Sequence, residues 1–259
     1  MGSIKKYFKR EFQLSNFNLE HEELSDFYLS AFQKSSSSLP LLCMRTFLFL
    51  GCVAILISGI IIMQQWMSFG HWLIYLTHWG VIMITVTTGM AASVSLKAYF
   101  EIEIGKLHFY FGILLVKIYW LFYNITVPIA LLITIFYWSF LSGLGMLKQQ
   151  KHMGIALILI LVLFSRVPTR LMHFIHPLLF AITYLIFSII YYVAGGLSPF
   201  GDVFIYPMLD WSQPGYTMIT VVGTAFFLVV AHILVALISL GRNKLSKLFS
   251  KNTSSIDIY

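Results

Sequence analysis

Long apolar stretches alternate with short polar segments along the whole chain. A helix needs about 20 mainly apolar residues to cross a lipid bilayer, and most of these stretches reach that length. The pattern predicts spans at about 42–64, 72–95, 117–142, 147–165, 172–194 and 217–240. The fourth is the weakest prediction, because its continuous apolar part, Met153 to Ser165, has only 13 residues. We therefore predict an all-α polytopic transmembrane helix bundle with about six spans.

Polar segments flank and divide these stretches. Residues 1–41 are predicted to form a cytoplasmic N-terminal tail, residues 42–241 a six-span membrane domain, and residues 242–259 a basic cytoplasmic tail. Residues 97–113 carry four charged side chains and are predicted to be a loop between the second and third spans. A segment rich in Gly and Pro, 195–215, separates the last two spans.

The composition agrees with a chain that lies in a membrane. Of its 259 residues, 59% are hydrophobic and 10% are charged, whereas a soluble domain has about 25% charged residues. The net charge of +7 sits at the chain ends and between the apolar stretches. That placement favours contact with lipid headgroups and argues against nucleic-acid binding. We expect membrane lipids as partners and no cofactor, while the sequence identifies neither a protein partner nor the membrane, whether plasma membrane or endomembrane.

The distribution of Lys and Arg predicts the orientation. With six spans, 15 of the 17 Lys and Arg residues lie on one side, and only Lys148 and Lys151 lie on the other. Basic residues are retained on the cytoplasmic side of multispan proteins. Both termini are therefore predicted to be cytoplasmic, and the weak fourth span is needed for this result.

Two polar residues are candidates for chemistry on the outer side. Thr77 lies near the outer end of the second predicted span, and His152 lies in the outer part of the fourth. The predicted topology places them at a similar depth. A hydroxyl beside a histidine base is the minimum arrangement for nucleophilic catalysis, although a single histidine is also a frequent structural residue.

Other polar residues in the spans have simpler interpretations. Thr88 and Ser95 share a helical stripe with Thr77 and are expected to pack helices together. His173 and His176 have a spacing that can hold a metal, but no third ligand is visible in the sequence nearby, so contact with headgroups is preferred and no metal is expected. Asp210 is expected to cap a turn, the alternative being that it orients a histidine such as His152.

Several stretches resemble the rolling stone family of insect and other invertebrate multispan proteins, which is associated with myoblast fusion. The matching stretches are YWLFYNI at 119–125, ITIFYW at 133–138, PTRLMHFIHP at 168–177, FSIIYYVAGG at 187–196 and IYPMLDWSQPG at 205–215, with weaker similarity at 11–19. The resemblance covers most of the chain. It implies a multi-pass membrane protein that acts in cell fusion.

That family is in turn distantly similar to the androgen-inducible membrane hydrolases. Those enzymes use a threonine nucleophile and a histidine to cleave fatty acid esters of hydroxy fatty acids. Leu76 and Thr77 match their Leu-Thr pair, and His152 matches their histidine, so the resemblance implies catalytic roles for Thr77 and His152. This chain departs from rolling-stone-like sequences at Ile155 and Ala156, where Asn and Ser are usual.

Three functions follow as hypotheses. The first is a membrane protein of cell fusion, and the alternative is an intramembrane threonine lipid esterase with a lipid substrate. A transporter or channel ranks last, because no pair of Asp, Glu or Arg lies at a span centre and no inverted repeat is visible.

Overall fold

A computed structural model describes residues 11–33, 35, 37–103, 109–136 and 148–254. Side chains are described for these residues apart from 14, 15, 102, 103, 109–111, 136, 148–155 and 250–254. The described chain forms seven α-helices and no strand: α1 Leu39–Met63, α2 Phe69–Leu73, α3 Leu76–Glu103, α4 Phe109–Phe136, α5 Lys148–Phe164, α6 Ile175–Val193 and α7 Pro214–Ser254. The all-α bundle is confirmed.

Five of the helical segments in the described chain are long and apolar enough to cross a membrane. They are Leu39–Met63, Leu76–Glu101, Gly112–Ile135, Leu171–Val193 and Pro214–Phe249. Helix α5 covers the fourth predicted span with 17 residues, which is shorter than the other five. The chain is thus an integral membrane protein whose helices fall where the apolar stretches lie.

The predicted loop at 97–113 is wrong over most of its length. Helix α3 continues to Glu103, and α4 already begins at Phe109. The charged residues do not end α3, because Lys97 and Glu101 lie one helical turn apart and form an ion pair of 3.1 Å. Such i,i+4 pairs support a helix. The second span also begins later than predicted, at Leu76, after the short helix α2.

The core lies where α1, α3, α4 and α5 pack together. Three aromatic residues of α4, Tyr119, Trp120 and Tyr123, are almost completely buried there. Small residues of α3 bring the helices close, and the hydroxyls of Thr87 and Thr126 are 2.7 Å apart across α3 and α4. Small and hydroxyl residues commonly hold membrane helices together in this way.

A fully buried arginine joins the core to the N-terminal segment. The guanidinium of Arg45, at the start of α1, has no exposed surface. It donates hydrogen bonds to five oxygens: the carbonyls of Phe27 and Ala91 and the hydroxyls of Ser95, Tyr119 and Ser165. Arg170 also binds this segment, donating to the carbonyls of Asn18 and Glu20. We call this side, with Arg45, Arg170 and Arg242, the basic end of the bundle.

The two ends of the described chain meet at the basic end. The ring of Phe32, before α1, lies 6.1 Å from the ring of Phe249 in the last turns of α7. The hydroxyl of Ser246 donates to the carbonyl of Ala31. A chain that starts and finishes at the same end crosses the bundle an even number of times. The short helix α5 is therefore one of six crossings.

The opposite side, where residues 194–213 connect α6 to α7, is called the loop end. Helix α6 ends at Val193, and two residues later Gly195 has a φ of +74°, a left-handed conformation suited to glycine. The carboxylate of Asp210 accepts hydrogen bonds from the backbone N–H and the hydroxyl of Ser212, at 2.9 and 2.7 Å. The prediction that Asp210 caps a turn is confirmed.

Candidate functional site

Thr77 lies at the loop end, at the second residue of α3. The first N–H groups of a helix have no partner within the helix. The N–H of Thr77 instead points to the phenol oxygen of Tyr206 at 3.5 Å. Tyr206 belongs to the 194–213 segment. A residue 129 positions away therefore provides a hydrogen-bond acceptor for the first turn of α3.

Thr77 and Tyr206 line a cavity of about 300 Å³. Its walls come from α3, α4, α6, α7 and the loop that carries Tyr206. Most of the lining side chains are aliphatic, including Ile129, Leu132, Leu178 and Leu185. The cavity is therefore an apolar chamber with Thr77 in its wall.

The polar groups of the cavity are hydroxyls. Tyr184 donates a hydrogen bond of 2.8 Å to the carbonyl of Ile74, just before α3. Thr220 and Thr224 line the cavity from α7. Burial raises the pKa of Tyr206 to about 12, although hydrogen bonds from Thr77 partly oppose the rise. At neutral pH the Tyr206 phenol is thus uncharged and acts as a hydrogen-bond donor or acceptor.

Among the residues whose side chains are described, the charged group found near the cavity is a carboxylate. No Lys, Arg or His is found among the described residues that line it. Burial raises the pKa of Tyr75, and the neighbouring carboxylate of Asp202 raises it further. The ring of Tyr75 lies 5.6 Å from that of Tyr206. The loop end therefore places a carboxylate near the polar side of the cavity and supplies no cation from the described lining.

His152 falls within α5, but its side chain lies outside the described residues. The Thr77–His152 pair therefore stays a prediction. The neighbour that the structure brings to Thr77 is Tyr206, which the sequence analysis did not select. Tyr206 lies in the IYPMLDW stretch that carried the resemblance, and this was the one signal in the sequence that marked it.

A second polar cluster lies near the basic end. His173 is completely buried, with Nδ1 2.8 Å from the side-chain amide of Asn124. The ring of His176 is 5.0 Å from that of His173, and His232 bonds the carbonyl of Arg170 at 2.9 Å. The expected contact of His173 with headgroups is wrong, because α4 and α7 cover it.

The spacing of His173 and His176 in the sequence did not predict the third histidine of this cluster. His232 of α7, 56 residues beyond His176, is brought beside the other two histidines by the packing of α7 on the segment before α6. Even so, within the described part of the chain no group of three His, Cys, Asp or Glu residues has an arrangement suited to a metal ion. The cluster is a hydrogen-bonded joint between helices.

Comparison with known proteins gives a match over nearly the full length. A family model described as "Protein rolling stone" matches residues 1–257. The protein rolling stone of Drosophila melanogaster is 30% identical over 271 aligned residues, which cover 97% of this chain and 94% of that protein. No solved structure matches the chain.

Proposed function

Because the chain belongs to the rolling stone family, we propose that it acts in cell fusion, of the kind that joins myoblasts, as a multi-pass membrane protein. The supporting observation is the extent of the match, which covers 97% of this chain and 94% of the fly protein. Every helix described above lies within the residues that the family model matches. The step from family to role is an analogy, so it needs a direct test.

A cell-mixing assay tests this proposal. Two populations of fusion-competent cells, each with its own fluorescent label, are mixed after loss of the protein or after its overexpression. We expect fewer doubly labelled cells after loss, and recovery when the wild-type chain is restored. Unchanged fusion after both loss and overexpression would rule the role out.

One observation favours a second candidate, an intramembrane lipid esterase. Thr77, the predicted nucleophile, lies in the wall of an apolar cavity rather than against a packed helix. In the proposed reaction the hydroxyl oxygen of Thr77 attacks the ester carbonyl carbon, and His152 takes the hydroxyl proton. His152 then passes this proton to the departing alcohol, and water hydrolyses the acyl-threonine to release the fatty acid and regenerate Thr77.

Tyr206 fits this reaction as a donor and not as the base. With a pKa of about 12, only about one Tyr206 in 10⁵ is ionised at pH 7. A neutral phenol beside the nucleophile is suited to donate a hydrogen bond to the oxyanion that develops on the carbonyl. The proton of Thr77 must go to another group, and His152 is the one proposed.

A fluorophosphonate probe tests the esterase. We expect the probe to label the wild-type protein in membranes and to lose its labelling in Thr77→Ala. Thr224→Ala is the matched control, since it removes another threonine hydroxyl from the same cavity. Labelling that persists in Thr77→Ala would refute the assignment of the nucleophile.

A further inference from the structure

Helix α7 is longer than a bilayer is thick. Its 41 residues, Pro214 to Ser254, extend over about 60 Å at about 1.5 Å per residue, whereas the hydrocarbon core of a bilayer measures about 30 Å. The apolar stretch 217–240 begins within one turn of Pro214 at the loop end. The excess length of α7 therefore lies beyond the basic end, and we call residues 243–254 the α7 extension.

Arg242 marks the point where α7 leaves the packed bundle. Its side chain is buried and donates hydrogen bonds to the carbonyls of Val162 and Ser165 at the end of α5. In residues 243–249, the part of the extension whose side chains are described, every side chain except that of Ser246 is exposed. The extension is therefore a helix that projects from the bundle.

Two contacts with the N-terminal segment hold the extension in place. The hydroxyl of Ser246 donates to the carbonyl of Ala31, and the ring of Phe249 lies beside that of Phe32. The helix would have to bend away from these contacts to lie flat on the membrane surface. Its position in line with the span favours a partner that approaches from the aqueous phase.

The extension has an exposed apolar face. Leu245, Leu248 and Phe249 are 51%, 59% and 64% exposed. Their spacing of i, i+3 and i+4 places them on one side of the helix. Exposed apolar patches in contact with water mark interaction sites, and this spacing is that of the anchors with which a helix binds in an apolar groove of another protein.

The charges of the extension select an acidic partner. Lys244 and Lys247 are exposed on the helix surface next to the apolar face. A second copy of the chain would bring the same positive charges, whereas an acidic groove complements them. A basic amphipathic helix of this kind is typical of calmodulin targets. Ca²⁺-loaded EF-hand sensors expose a groove lined by methionines, whose flexible side chains adapt to irregular apolar surfaces.

We infer that the α7 extension is a docking helix for an acidic, Ca²⁺-loaded EF-hand protein of the calmodulin type. Its groove takes Leu245, Leu248 and Phe249, and its carboxylates face Lys244 and Lys247. The basic end, where the extension lies, is the side that the distribution of Lys and Arg predicts to be cytoplasmic. The interaction requires neither fusion nor ester hydrolysis, so it goes beyond both proposed functions.

Binding of calmodulin to the full-length protein tests the inference. The purified protein is placed in nanodiscs of phosphatidylcholine, and calmodulin binding is followed by biolayer interferometry in Ca²⁺ and then in a Ca²⁺ chelator. We expect micromolar or tighter binding in Ca²⁺, and binding about tenfold or more weaker in the chelator, because the groove closes without Ca²⁺. Binding should also weaken as the salt concentration rises, since exposed charges are then screened.

Two variants with the same added charge locate the site. Leu248→Asp puts a carboxylate into the apolar face and should weaken binding about tenfold or more, because it removes an anchor. Asn243→Asp adds the same charge on another face and keeps the oxygen that accepts from Arg242, so it should weaken binding less than about threefold. Both positions are exposed, so both variants should fold.

A fluorophore distinguishes a protein partner from the bilayer. Bimane is attached to Leu245→Cys in a chain whose exposed Cys43 is replaced by Ser. We expect its emission to shift to shorter wavelength when Ca²⁺ and calmodulin are added together. Without calmodulin, we expect the same emission in phosphatidylcholine and phosphatidylserine nanodiscs.

The inference fails on any one of three results. The first is calmodulin binding that is absent or does not depend on Ca²⁺. The second is equal binding by Leu248→Asp and Asn243→Asp. The third is a shift of the bimane emission in phosphatidylserine nanodiscs without calmodulin, which would identify the anionic bilayer as the surface that covers the apolar face.

Discussion

At the scale of single residues, Arg45 is a cation that is completely buried in the bundle. A cation within a membrane protein is unfavourable unless it finds hydrogen-bond partners, and the two terminal nitrogens of Arg45 find them. The five acceptors of Arg45 are all neutral oxygens, from the N-terminal segment, α3, α4 and the residue that follows α5. One planar side chain with several donors is suited to join so many segments.

We predict that Arg45→Lys destabilises the protein by about 2–4 kcal/mol, because an ammonium retains the charge but leaves at least two buried acceptors without a donor. The measurement is the midpoint of thermal unfolding in detergent, followed by tryptophan fluorescence. Lys244→Ala, at an exposed position of α7, is the control and should shift the midpoint little. An unchanged midpoint in Arg45→Lys would show that the buried network contributes little.

The sequence predicted the depth of single residues in the membrane better than it predicted their contacts. Thr77 was selected because its depth follows from hydropathy, which is a local property of the chain. Arg45 was counted only as a cytoplasmic charge, because its burial depends on Phe27 and on helices up to 120 residues away. Tyr206 was missed for the same reason, since its meeting with Thr77 depends on how the loop folds back.

At the scale of elements, two adjacent glycines follow the end of α6. Gly195 has a φ of +74°, and a Cβ on Gly196 would lie 2.5 Å from the ring of Tyr191. The phenol of Tyr191 in turn donates to the carbonyl of Leu197 at 2.8 Å. The Ala-Gly-Gly sequence therefore allows the chain to turn sharply from α6 into the loop that covers the cavity.

We predict that Gly195→Ala lowers the free energy of unfolding by about 1–2 kcal/mol, because a residue with a Cβ is strained at this φ. Gly215→Ala is a matched control in the first turn of α7, where a Cβ meets open space and no strained φ occurs. That change should be neutral or slightly stabilising. Equal unfolding midpoints for the two variants, measured as for Arg45→Lys, would contradict the role of Gly195.

Hydropathy located the helices but not their ends. Apolar length is enough to detect a span, so five spans and the shorter α5 were all anticipated. The boundary of α3 was missed by several residues because Lys97 and Glu101 pair on the helix surface instead of breaking it. The short helix α2, from Phe69 to Leu73, has no separate signal in an apolar pattern.

At the scale of the whole molecule, the fold and the charges together predict how the protein is oriented in the membrane. The structure brings residues 31–32 and 246–249 together at the basic end. The positive-inside rule then assigns that end to the cytoplasm. We propose on this basis that the loop end, with the cavity lined by Thr77 and Tyr206, lies on the outer side of the membrane.

Glycosylation mapping tests this orientation most directly, because the enzyme that adds glycans to Asn-X-Ser/Thr acts only on the luminal side, whichever membrane the protein finally occupies. An acceptor sequence flanked by flexible spacers is inserted after Phe200, which is 82% exposed at the loop end. We expect this variant to gain a glycan that an amidase removes, while the native Asn252-Thr-Ser sequence stays unmodified. A glycan on Asn252 together with none at the inserted site would contradict the orientation and move the cavity to the cytoplasmic side.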